Sequence, residues 1–213
     1  MVGRVNKRTW KILSAVGAVA LAAVAISATD SFADTPAAKA PRPAAEAAAD
    51  AAADAAAGQA EGFVGRLSVP PELVPPAGNV LTSVFKARGV QNYGCTAAGA
   101  WTLNEPAAVL TGIELRPVKR VTAIHFRGPS WQSDTDGTLV EGQNPVSAPS
   151  DKPNSIPQLL IQAKRTTGEG TFGGVTYVQR LATAGGVAPA GGCTEGQTKA
   201  VLYTAVYRFF KKS

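Results

Sequence analysis

Histidine occurs once in this chain of 213 residues, methionine once and cysteine twice. One imidazole and two thiols exclude multi-cysteine zinc ribbons, multi-histidine metal centres and disulfide-dense scaffolds. Neither cysteine stands in a CxxC pair, no GxSxG nucleophile elbow occurs, and no repeated βαβ pattern is present. Dithiol redox, serine-hydrolase and nucleotide-binding chemistry therefore lack their usual footing in the sequence. From Thr35 to Glu61 there is no large apolar residue. Such a stretch, mostly Ala, Pro and acids, buries too little surface to offset the entropy of ordering it.

What is present begins with an export pattern. Arg4, Lys7, Arg8 and Lys11 form a basic start, Ile12 to Ala28 is an uncharged, alanine-heavy apolar run, and Ser31-Phe32-Ala33 has the small-x-small form that signal peptidase needs. The run is short for a membrane span. We expect a signal peptide over 1–33, a membrane association only if that segment stays uncleaved, and a protein that is secreted or associated with the cell envelope. Residues 34–61 are expected to be a disordered Ala/Pro/acidic linker, although Ala44 to Ala57 has the composition of a marginal helix. Charge is not evenly spread. The whole chain has 21 basic and 15 acidic residues; four basic and one acidic lie in 1–33 and two basic and five acidic in 34–61, so residues 62–213 carry fifteen against nine, again +6. In an oxidising compartment Cys95 and Cys193 are expected to pair, closing a loop of nearly 100 residues.

From Gly62 onward the chain is expected to be one all-β domain. Pro70-Pro71 and Pro75-Pro76 impose an extended start, after which short apolar runs alternate with Gly, Pro, Asn and Asp clusters. Strands are predicted near 80–87, 90–95, 99–103, 108–114, 119–126, 138–141, 158–165, 174–181 and 200–210, with a helical turn as the alternative over 156–164. At the C-terminus Val201, Tyr203, Ala205, Tyr207 and Phe209 fall on one face. Short antiparallel strands with little helix imply a β-sandwich or barrel-like domain.

Several motifs together carry a resemblance. His125-Phe126-Arg127-Gly128-Pro129-Ser130-Trp131, Asp136-Gly137, Val140-x-Gly142, Ile156-Pro157-x-Leu159-Leu160, Val175-Thr176-Tyr177-Val178-Gln179-Arg180 and Gly185-Gly186-Val187-x-Pro189 resemble the domain-of-unknown-function family 3455. Pro71-x-Leu73, Tyr93-x-Cys95 and Ala100-Trp101 extend the likeness over about Val69 to Lys211. The resemblance implies a secreted protein and a shared fold, and it implies no activity. Some fungal members carry a malate dehydrogenase label, which the residues here do not support. The only match to a nucleotide fingerprint, Gly168-x-Gly170-x-x-Gly173, is followed by the strand-like Val175-Thr176-Tyr177-Val178, whereas a phosphate cradle must open a helix. These glycines are read as a hairpin loop, and no cofactor is expected.

Among candidate sites, His125 alone can supply imidazole chemistry near neutral pH. The leading reading is a non-catalytic binding or structural module with His125, Arg127, Trp131 and Asp136 as candidate binding residues; the alternative is a hydrolase-like enzyme using His125 with Asp134 or Asp136. A purely structural His125 would hydrogen-bond backbone and pack on Trp131. Asp134-Thr135-Asp136-Gly137 opens like a calcium loop, but Leu139 and Pro145 stand where an EF-hand needs Gly and Glu, so a β-turn is the simpler reading and no metal is assigned, with a looser site through Glu141 as its alternative. The basic pairs are too dispersed for nucleic acid. An anionic cell-wall polymer or glycan is the partner expected from charge, with Tyr93, Trp101, Trp131 and Tyr177 as candidates for an aromatic platform.

Overall fold

The computed structural model describes residues 44–213. The expected signal segment and the first part of the linker lie outside the described residues. Eight antiparallel strands form one sheet: β1 (Asn79–Cys95), β2 (Trp101–Leu115), β3 (Val118–Phe126), β4 (Ser130–Ser133), β5 (Leu139–Ala148), β6 (Gln158–Thr167), β7 (Val175–Gly185) and β8 (Thr198–Lys212). Each strand pairs with the next and β8 returns to β1, so the sheet closes into an up-and-down barrel. Closure leaves no row of unpaired backbone groups at a sheet edge. A single closed sheet, not two stacked ones, is therefore the form that the expected all-β domain takes.

Hairpin connections alternate between the two ends of the barrel. The 96–100, 127–129, 149–157 and 186–197 connections share one end; 116–117, 134–138 and 168–174 share the other. The Cys95–Cys193 disulfide, with Cα atoms 5.8 Å apart, pins the β7–β8 connection to the end of β1. Two backbone bonds reinforce it, from Cys193 N to Gly99 O at 3.1 Å and from Cys95 N to Gln197 O at 2.9 Å.

Alternation of side chains in and out along each strand fills the lumen. Tyr203, Ala205, Tyr207 and Phe209 of β8 are all buried, as their shared face implied. They meet Phe85 of β1, Trp131 of β4 and Phe172 of the 168–174 connection, with ring centroids 5.4 Å apart for Phe85–Phe209 and 4.5 Å for Phe172–Phe209. Room for this aromatic stack comes from glycine. A Cβ on Gly112 would overlap the Phe85 ring and the Val84 carbonyl, and one on Gly142 would stand 2.5 Å from Ile161 Cγ2.

Strand boundaries differ from the sequence expectation where Gly or Pro suggests a break. β1 runs unbroken through Gly89, because there the glycine accommodates close approach of the β2 backbone at Ala107 and Ala108 and marks no turn. β2 runs through Pro106 beside the register shift at Asn92/Tyr93, the setting in which a strand tolerates proline. β4 has four residues, too few for periodicity to reveal. The segment 156–164 enters β6 and is not a helical turn.

The linker expectation is corrected as well. Helix α1 spans Ala44–Val64, where disorder was expected to continue to Glu61. Alanine favours the helix locally, and the outer wall of the barrel supplies the packing face that the isolated segment lacks. Ala56 and Ala60, four residues apart on one face, are buried with Leu81, Val84, Leu115, Val206 and Phe210, while Phe63 and Val64 pack alongside. Arg116 donates to the Ala52 carbonyl, and Lys86 Nζ lies 4.9 Å from the centroid of the Phe63 ring. Among the described residues no helix is long and apolar enough to cross a membrane.

Candidate functional site

His125 is the last but one residue of β3, pairs with Trp131 of β4 across a tight hairpin, and points into the lumen. It is 3% exposed. Its ring stacks on Trp131 with centroids 4.5 Å apart and planes within 2° of parallel, and Tyr207 approaches edge-on at 5.3 Å. Nδ1 lies 2.8 Å from the Ser130 carbonyl. A carbonyl oxygen only accepts, so Nδ1 carries the proton and Nε2 of the neutral ring is left as an acceptor. Burial pushes the His125 pKa down to about 3; the Ser130 bond opposes this and the charge of Arg180 adds to it. An imidazole so depressed is neutral at pH 7 and a weak base.

The hydrolase alternative required a carboxylate beside this ring. Asp134 and Asp136 instead occupy the β4–β5 turn, at the other end of β4 from the His125 hairpin. Asp136 Oδ1 accepts from Thr138 N at 3.1 Å and its hydroxyl at 2.6 Å, and Oδ2 accepts from Thr171 N at 2.8 Å and its hydroxyl at 2.7 Å. Burial alone would raise this carboxyl, but the four hydrogen bonds outweigh it and hold Asp136 well below the usual carboxylate range. Its work is to tie the 134–138 turn to the 168–174 connection. Ser133 Oγ accepts from Thr135 N and Asp136 N, so it too belongs to that turn. Glu141 is gripped by the Arg165 guanidinium through two bonds of 2.7 Å. Among the described residues no three His, Cys, Asp or Glu side chains converge as a metal site would require. The Gly168–Gly173 run is the β6–β7 loop and leads into a strand, with positive φ at Gly168 and Gly170.

At the disulfide end of the barrel the lumen opens into a concave pocket of about 350 Å³. Its floor is His125, Trp131 and Tyr207; Leu159, Ile161 and Pro129 form apolar walls. Arg127 stands at the rim and pairs with Glu105 at 3.3 Å, both exposed, which is worth little in water. Three of the four candidate binding residues thus meet in one place, and Asp136 does not. Of the four residues considered for an aromatic platform, Trp131 is fully buried, Tyr93 is buried and bonds the Gly186 carbonyl at 2.6 Å, Tyr177 is half-buried and packs against the clusters around Phe210 and Leu181, and Trp101 is half-buried at the start of β2.

Two lining residues escaped the sequence analysis. Arg180 of β7 sits opposite Leu159 and Tyr207 in register. Its Nε and Nη2 donate to the Pro157 carbonyl at 3.2 and 3.0 Å, and among the described residues no carboxylate pairs with it. Gln91 of β1, 2% exposed, lies among the inward positions Phe85, Ala87 and Tyr93. A polar residue at an inward position was the available signal for Gln91. For Arg180 the register shifts at Val175/Tyr177 and Leu181/Ala184 conceal which face is inward. Gln91 Oε1 and Trp131 Nε1 are both buried and have no hydrogen-bond partner among the described residues. A buried donor and a buried acceptor left unmade are costly.

Fold and pocket define a class: a closed eight-stranded antiparallel barrel with a side-chain-lined cleft at one mouth. The family model described as "Protein of unknown function (DUF3455)" matches residues 76–211, all eight strands included, and the chain belongs to that family. No curated protein and no solved structure matches it.

Proposed function

We propose that this chain is an exported protein that acts by binding, without catalysis, and that its binding site is the pocket over His125 and Trp131. One observation carries the reading. In a barrel otherwise filled by side chains, the described lumen keeps a concave pocket with apolar walls and a few convergent polar groups, the usual form of a small-molecule site. The basic excess of the folded part adds a screened attraction for anionic partners, a cell-wall polymer or glycan among them, at the barrel surface. The disulfide and the signal-like start support the export half of the reading. Native mass spectrometry of the full chain recovered from its producing cells is expected to show a small bound molecule, and Leu159→Trp, which fills the pocket from its wall, is expected to abolish it without unfolding the barrel. The same molecule retained by the variant would place binding elsewhere. Cell fractionation tests export; the chain found intact in the cytoplasm would overturn that half.

A further inference from the structure

The polar groups of the pocket are unequal in charge, and this points to a ligand class. Arg180 is the single uncompensated charge: the Arg127–Glu105 pair at the rim cancels, and His125 is neutral. The Pro157 carbonyl takes two of the five guanidinium N–H groups and thereby fixes the orientation of the head, and the Tyr207 hydroxyl is hydrogen-bonded to the same head. Its charge is felt throughout the lumen, since it acts on Tyr93, His125, Tyr203 and Tyr207. A guanidinium so held suits a carboxylate, whose oxygens only accept. Apart from Asn104, much of the remaining lining is flat or branched and apolar, from Pro106, Pro129, Leu159 and Ile161. At about 350 Å³ the pocket lies near the low end of small-molecule sites, enough for a body of one or two rings.

Building on the pocket reading above, we infer that the site selects a small organic monoanion, a carboxylate on a flat apolar body, with Arg180 as counter-charge. A cation would meet the like charge of Arg180.

The test uses the purified full chain with cinnamate and 2-naphthoate, their primary amides, and the corresponding amines, by calorimetric titration and by the Trp131 indole N–H resonance assigned through Trp131→Phe. The acids are expected to bind at least tenfold more tightly than the amides at pH 7, the amines not at all, and the acids to shift the indole resonance. Arg180→Met is expected to reduce acid affinity to that of the amide, with Arg180→Lys restoring part of the difference. If Arg180→Met does not fold, the ranking of acid, amide and amine on the native chain decides. Equal binding of acids and amides, or preference for amines, would overturn the anion class while leaving the pocket as the binding site. No binding by any probe and no bound molecule by native mass spectrometry would overturn both.

Discussion

His125 shows how one side chain couples packing to solution behaviour. The folded ring takes up a second proton only below about pH 3, against an ordinary value of 6.5, so between those values the unfolded chain binds more protons than the folded one. Stability from this group is complete above about pH 6.5 and is lost as pH falls toward 3, at up to about 1.4 kcal/mol per pH unit. Because the chain has no other histidine, urea titrations between pH 7 and 5 isolate this contribution. His125→Phe, which keeps the stack on Trp131, is expected to flatten the dependence there; an unchanged slope would refute the assignment. Further acidification removes the contribution of Asp136, whose depressed carboxyl stabilises above its unfolded pKa and ceases to as it protonates. Gly112 gives a second prediction. Gly112→Ala drives a methyl into the Phe85 ring and the Val84 carbonyl, and the expected loss is about 1 to 3 kcal/mol by denaturant unfolding, the usual cost of overpacking.

Among the elements, α1 and β4 depend most on their surroundings. Acids at Glu46, Asp50 and Asp54 recur every four residues, a spacing that weakens an isolated helix, and α1 persists because Ala56 and Ala60 let it lie close against Leu81, Val84 and Phe210. Ala60→Glu inserts a charge into that contact. Amide hydrogen exchange over residues 50–64 is expected to accelerate at least tenfold while exchange in β1 and β8 stays unchanged. Equal acceleration in both would mean that helix and barrel unfold together. β4 owes its existence to pairing on both sides, with β3 through Ser130 to Ser133 and with β5 through Ser130 to Gln132. Its brevity also separates the hairpin that holds His125 from the turn that holds Asp134 and Asp136.

For the molecule as a whole, closure and the disulfide act on different states. Pairing of β1 with β8 joins segments more than 100 residues apart in sequence, and its loop-closure entropy must be met by the core around Phe85, Trp131 and Phe209. The Cys95–Cys193 bond spans 98 residues and restricts the unfolded chain. Replacing both cysteines by serine is expected to cost about 4 to 5 kcal/mol in the chain-entropy model, read as a lower urea midpoint with little change in slope. A loss below about 1 kcal/mol would show that the 186–197 connection is held by its backbone bonds alone.

Much of this was legible in the amino acids themselves. The β class, the shared face of Tyr203, Ala205, Tyr207 and Phe209, the hairpin reading of Gly168 to Gly173, and the pairing of Cys95 with Cys193 follow from periodicity, turn chemistry and cysteine count, which are local or compositional properties. The neighbourhood of His125 and Trp131 was legible because a tight hairpin brings residues six apart in sequence face to face. Tertiary structure decided the rest. Closure into one sheet, the separation of Asp136 from His125, the inward turn of Arg180, the unpartnered Gln91 and Trp131, and the docking of α1 all depend on which strand lies beside which and in what register. Those relations arise from packing between segments distant in sequence, and a two-residue side-chain period does not encode where a bulge shifts it.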